Sequence, residues 1–83
     1  MNKYQEAFDF ATGPVPRRAR LAFIRNWIFY RDLGIDPQTA KARALQDAKA
    51  KCGNPIIWWL VAYILEQIVL PKLLEWWERR RNR

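Results

Sequence analysis

Apolar residues crowd toward the C-terminal third of the chain, and their pattern changes halfway through it. Ile56 to Leu65 is apolar on every side, as in a helix surrounded by protein or embedded in lipid. Beyond Pro71 the pattern turns amphipathic. Leu70, Leu73, Leu74, Trp76 and Trp77 share one face, with Lys72, Glu75, Glu78 and Arg79 on the other. Asn54 is an N-cap candidate and Pro55 suits the first helical position, so a helix is expected from there to about Arg80. Pro71 removes a backbone donor and should bend or break it.

Two shorter helices precede this one. Pro16 to Leu33 predicts the first, with Gly34 as the residue after its C-cap. Arg18, Arg25 and Asp32 make a narrow polar stripe at seven-residue spacing. Leu21, Phe23, Ile24, Trp27, Ile28, Phe29, Tyr30 and Leu33 cover most of the remaining surface. Asp36 as N-cap and Pro37 behind it predict a second helix that Gly53 closes. Ala40, Ala44 and Ala48 repeat every four residues and allow close approach to the first helix, giving an αα-hairpin over residues 16–53. Residues 1–15 lack a helical period and end in Thr12-Gly13-Pro14-Val15-Pro16, which predicts an extended arm. Tyr4, Phe8 and Phe10 of that arm, with Trp27, are the candidate partner-docking aromatics.

The expected fold is therefore all-α: an N-terminal arm, a basic αα-hairpin, and a long, proline-kinked apolar helix over residues 54–83. Trp58-Trp59 and Trp76-Trp77 bracket that helix, separated by about 27 Å of helical rise, close to the thickness of a bilayer's hydrocarbon layer. Indole rings favour the membrane–water boundary. Trp58, Trp59, Trp76 and Trp77, with Ile57, Leu60, Ile64 and Leu65, are accordingly the candidate membrane-anchoring residues. A span from Ile56 to Trp77 places Glu66 near mid-bilayer, where an ionised carboxylate is costly, and marks it as the intramembrane polar candidate. A bent helix lying in the interface avoids that cost. A third arrangement buries the helix in a soluble three-helix domain with the tryptophans as core or interface anchors.

Charge adds a second theme. The 83 residues carry a formal charge of +7. The C-terminal Arg79, Arg80, Arg81 and Arg83, and Lys41, Arg43, Lys49 and Lys51 of the second helix, are candidates for contact with lipid headgroups or other phosphates. No secretory signal opens the chain, so membrane attachment is expected without an N-terminal leader. Leu33-Gly34-Ile35-Asp36-Pro37 has the outline of a helix-turn-helix corner. Only Gln38, Thr39 and Arg43 follow it as base-reading side chains, which leaves non-specific nucleic-acid contact.

Chemistry is sparse. There is no histidine, and the single cysteine, Cys52, excludes a disulfide within the chain. The carboxylates are scattered singly and no glycine-rich phosphate loop exists, so neither catalysis, a metal, a cofactor nor a small-molecule substrate is expected. The expected function is structural. The protein would hold a protein assembly or oligomer to a bilayer, as a minor virion component joining capsid to membrane or as an accessory subunit of a bacterial membrane complex. The alternative is a soluble basic module that binds nucleic acid or a partner protein through a tryptophan-rich face.

Overall fold

The computed structural model describes residues 13–82, and all regular structure among them is helical. Helix α1 spans Arg17–Asp32 and α2 spans Pro37–Cys52. The third helical rod has three parts: α3 (Trp58–Ile64), a π-helical turn (Leu65–Val69) and α4 (Leu70–Arg81).

Local chemistry sets most boundaries. Pro16 is the N-cap of α1, and its carbonyl accepts from the Arg20 N–H at 3.0 Å. At the other end Gly34 adopts φ 89°, its N–H donating to the Arg31 carbonyl while the Ile35 N–H reaches back to Tyr30. This is a Schellman closure, and it needs a residue without a Cβ. The Asp36 carboxylate accepts from the Thr39 N–H at 3.0 Å and Pro37 occupies the first helical position. Those bonds from Thr39 hold the Asp36 carboxyl below the usual range. Gly53 ends α2 in the left-handed conformation, φ 73°.

The third helix departs from expectation at its start and at its middle. Asn54 does not cap it. The Asn54 Oδ1 closes a local turn by accepting from the Ile56 N–H, and regular helix begins only at Trp58. Nor does Pro71 break the rod. One residue earlier the Leu70 N–H donates to the Leu65 carbonyl, five residues back, so the widened turn falls where proline has no N–H to give.

The core is built from three rows with four-residue spacing. Val15, Ala19, Phe23 and Trp27 form the first; Ala40, Ala44, Ala48 and Cys52 the second; Val61, Leu65, Val69, Leu73 and Trp77 the third. Such rows are the ridges through which helices interdigitate. The alanine row lets α2 lie close on α1. Asn26 and Tyr30 of α1 both donate to Asp47 of α2, at 2.9 and 2.6 Å, which locks the antiparallel pairing. A strict four-residue row drifts by about 40° per step around an ideal α-helix. Over the long third row the π turn takes up part of that drift, keeping Val61 and Trp77 on the same core.

Four further expectations are corrected. No helix among the described residues is long and apolar enough to cross a membrane, so the span from Ile56 to Trp77 falls. The apolar run stops at Glu66, and Ile64 and Leu65, offered as lipid-facing, are buried against the hairpin. Trp27, offered as a docking residue, is fully buried. Val15, assigned to the arm, also belongs to the core. Residues 1–12 of the arm, with Tyr4, Phe8 and Phe10, and the terminal Arg83 lie outside the described residues.

Candidate functional site

The start of the third rod and the turn before it show large apolar side chains to solvent. Ile56, Trp59 and Tyr63 are 79%, 71% and 61% exposed. Trp59 and Tyr63 stand one turn apart on α3, opposite the Val61–Leu65 side that the core takes, and Ile56 precedes them in the turn that leads into the helix. Their neighbours Ile57, Trp58 and Leu60 are half-buried and pack against the core, so these side chains rest on a fixed base. Lys49 lies at the α2–α3 corner, where with Cys52, Pro55 and Trp58 it lines a hollow of about 280 Å³. Cys52 is a buried thiol whose Sγ lies 3.5 Å from the Asn54 carbonyl that accepts from it.

The second tryptophan pair is placed differently. Trp77 is only 8% exposed and meets Trp27 edge-on, with ring centres 6.2 Å apart. Its indole Nε1–H donates to Asp32 Oδ1 at 3.0 Å, across 45 positions of sequence. Arg80 also donates to both Asp32 oxygens, at 2.8 and 2.9 Å. The indole first, and then the guanidinium, hold the Asp32 carboxyl below the usual carboxylate range. Trp76 lies outward with the Arg80 guanidinium 5.0 Å over its ring. Trp77 therefore serves the fold rather than a lipid belt, because burial and a charged acceptor satisfy both ends of its amphipathic ring.

The remaining candidates divide. Arg79 pairs with Glu75 one turn back at 3.1 Å on an exposed face, a contact of little energetic weight. Arg80 is committed to Asp32, and Arg81 lies 5.3 Å over Trp77. So the arginines at the C-terminal end do not act as one free cationic tail. Arg43, Lys49 and Lys51 are exposed on α2, and Lys41 is half-buried. Arg43 sits 5.9 Å over the Tyr30 ring. The hydrogen bond to Asp47 pushes the Tyr30 phenol above its ordinary value. Lys51 joins Arg18 and Arg25 of α1 along a groove of about 420 Å³. Glu66 is half-buried in the π turn and not at the centre of a span.

Two features escape a reading of the sequence. The Asp32–Trp77–Arg80 cluster joins residues that no local pattern links. Phe29 and Leu33, assigned with the apolar cover of the first helix, remain exposed one turn apart on α1. Comparisons with family models, with curated proteins and with solved structures find no match to this chain.

Proposed function

We propose that this is a non-enzymatic protein that attaches to the surface of an anionic membrane and holds a protein partner there. The observation that carries the reading is the exposed Ile56–Trp59–Tyr63 edge. Two of its three residues are the aromatic types that prefer the headgroup boundary, and exposed Lys49, which shares a hollow with the neighbouring Trp58, is an electrostatic complement to lipid phosphate. The attachment is peripheral. The edge seats among the headgroups and upper acyl chains while the inner face of the same helix stays on the hairpin. Phe29 and Leu33, an apolar pair on a different helix, supply a second contact for a protein partner.

Flotation with vesicles tests the attachment. The protein should rise with phosphatidylserine-containing vesicles, less so with neutral ones, and the Trp59→Ala/Tyr63→Ala double variant should stay in the load. Absence of flotation by the intact protein would overturn the reading.

A second reading rests on the groove that brings Arg18, Arg25 and Lys51 together. Three cations from two helices along one channel suit the spaced phosphates of a nucleic-acid strand, read without sequence preference. Binding to a generic duplex that weakens steeply with salt, in protein that ignores vesicles, would favour it.

A further inference from the structure

The pocket between the end of α1 and the end of α4 encloses about 470 Å³ and is lined by Arg31, Asp32, Gly34, Trp77, Arg80 and Arg81. Three guanidiniums and one carboxylate meet there. Asp32 and Arg80 offset one another at 2.8 Å, and the second Asp32 contact is the Trp77 indole. Two positive charges are left over. Arg31 lies 4.5 Å from the centre of the Trp77 ring and Arg81 5.3 Å from it, so both guanidiniums crowd one indole. Among the described residues neither is ion-paired with a carboxylate. Arg31 donates through Nη1 to the Ile35 carbonyl at 2.8 Å, but its Nε is buried with no acceptor. A buried donor left unmatched is costly, and two like charges on one ring repel. An anion in the pocket offsets the two uncompensated charges.

We infer that this pocket binds a phosphomonoester. Such a group carries close to two negative charges at neutral pH and presents three acceptor oxygens, matching the two uncompensated guanidiniums. Arginine rather than lysine at both positions suits it, since the planar fork bonds phosphate oxygens while its face stays on the indole. Asp32 takes no part in binding the anion; it fixes Arg80 and orients the Trp77 ring that both free arginines lie against. The inference does not depend on membrane attachment, because the phosphate is recognised whether it is free or at the end of a lipid.

The indole N–H resonance of Trp77 reports on the pocket directly. In a titration of the ¹⁵N-labelled protein with inorganic phosphate it should shift saturably, with no such shift from chloride at equal ionic strength. Arg81 lies at the exposed end of α4, so Arg81→Gln should leave the fold intact and weaken phosphate binding roughly tenfold, the loss expected for one charge-assisted contact. Arg31→Gln in addition should abolish it. An equal response to chloride, or an unchanged affinity in Arg81→Gln, would overturn the site. Phosphatidylcholine vesicles doped with phosphatidic acid, compared with phosphatidylserine vesicles of equal charge, separate the two sources. Preference for phosphatidic acid that Arg81→Gln removes assigns a lipid headgroup; saturable binding of free phosphate with no such preference assigns a soluble phosphomonoester. Flotation with an indole that phosphate never moves would sink the pocket and spare the membrane reading, whereas phosphate binding without flotation would do the reverse.

Discussion

Trp58-Trp59 and Trp76-Trp77 stand near the two ends of one helical rod. At the first pair Trp59 lies outward and Trp58 is half-buried, and no hydrogen bond to either indole is found among the described residues. At the second, Trp77 is enclosed by Trp27, Arg31 and Arg81 and bonded to Asp32, while Trp76 lies outward beneath the Arg80 guanidinium. The dipeptide is the same, so side-chain chemistry does not explain the contrast. Position on the four-residue row does. Trp77 falls on the row Val61–Leu65–Val69–Leu73–Trp77, and Trp59 falls on the opposite side. A large apolar ring with one polar N–H becomes a structural keystone where the fold supplies an acid beside it. Where the fold supplies only solvent, the same ring remains available to a ligand surface.

The strongest way to break this contrast is Trp77→Ala. Truncating a buried tryptophan that also bonds a carboxylate should cost about 3–5 kcal/mol, a large share of the stability of a domain this small. Denaturant unfolding should show it as a sharply lowered midpoint or outright loss of folding. Trp59→Ala in the same assay should behave as a surface substitution.

A finer separation comes from Trp77→Phe, which keeps an aromatic body and removes the N–H. It should destabilise less than Trp77→Ala but clearly more than Trp59→Phe, by the same denaturant measurement. If the two Phe variants are equally stable, the Asp32–Trp77 bond contributes nothing.

Acid should weaken the second end selectively. The Asp32 carboxyl sits below its ordinary value in the fold, so its contribution is present above the unfolded-state pKa near 3.8 and is lost as pH falls through the lower folded one. Asp36 carries a shift of the same sign from its Thr39 cap. Asp32→Asn should therefore flatten, without abolishing, the fall in stability on the acid side. Tyr30 acts at the other extreme. Its raised phenol favours the neutral form in the fold, so that contribution holds below pH 10.0 and fades as pH rises through the folded value. Thermal unfolding across pH, with Asp32→Asn and Tyr30→Phe, checks both signs.

The smallest expected change in stability, and the sharpest functional one, is at the first pair. Trp59→Ala should move stability by no more than about 0.5 kcal/mol. Vesicle flotation should nevertheless fall with it. A variant that loses stability and binding together would mean that Trp59 belongs to the core after all.

Much of the local structure was legible because its causes are local. Asp36 before Pro37, and Gly34 and Gly53 after their helices, mark boundaries through caps that involve residues only a few positions apart. The alanine row announced the hairpin, since only small side chains allow that approach. Asn54 misled because its side chain has two local uses, a helix cap and a tight turn, with the same sequence signature. Pro71 misled because its cost depends on where the missing N–H falls, and the π turn moves that point. The unbroken four-residue row from Val61 to Trp77 was the available sign of such a turn.

The sequence by itself determined the all-helical architecture of the described residues, the hairpin and its caps, the apolar weight of the third rod, and a strongly basic composition, all of which follow from periodicity, turn chemistry and residue content. Only the tertiary structure decided which tryptophans face inward, that Asp32 meets Trp77 and Arg80, and that Arg31 and Arg81 converge on one ring. Those relations join residues up to 48 positions apart. They depend on how three helical rows rotate against one another, a matter of packing geometry that neither propensity nor spacing encodes.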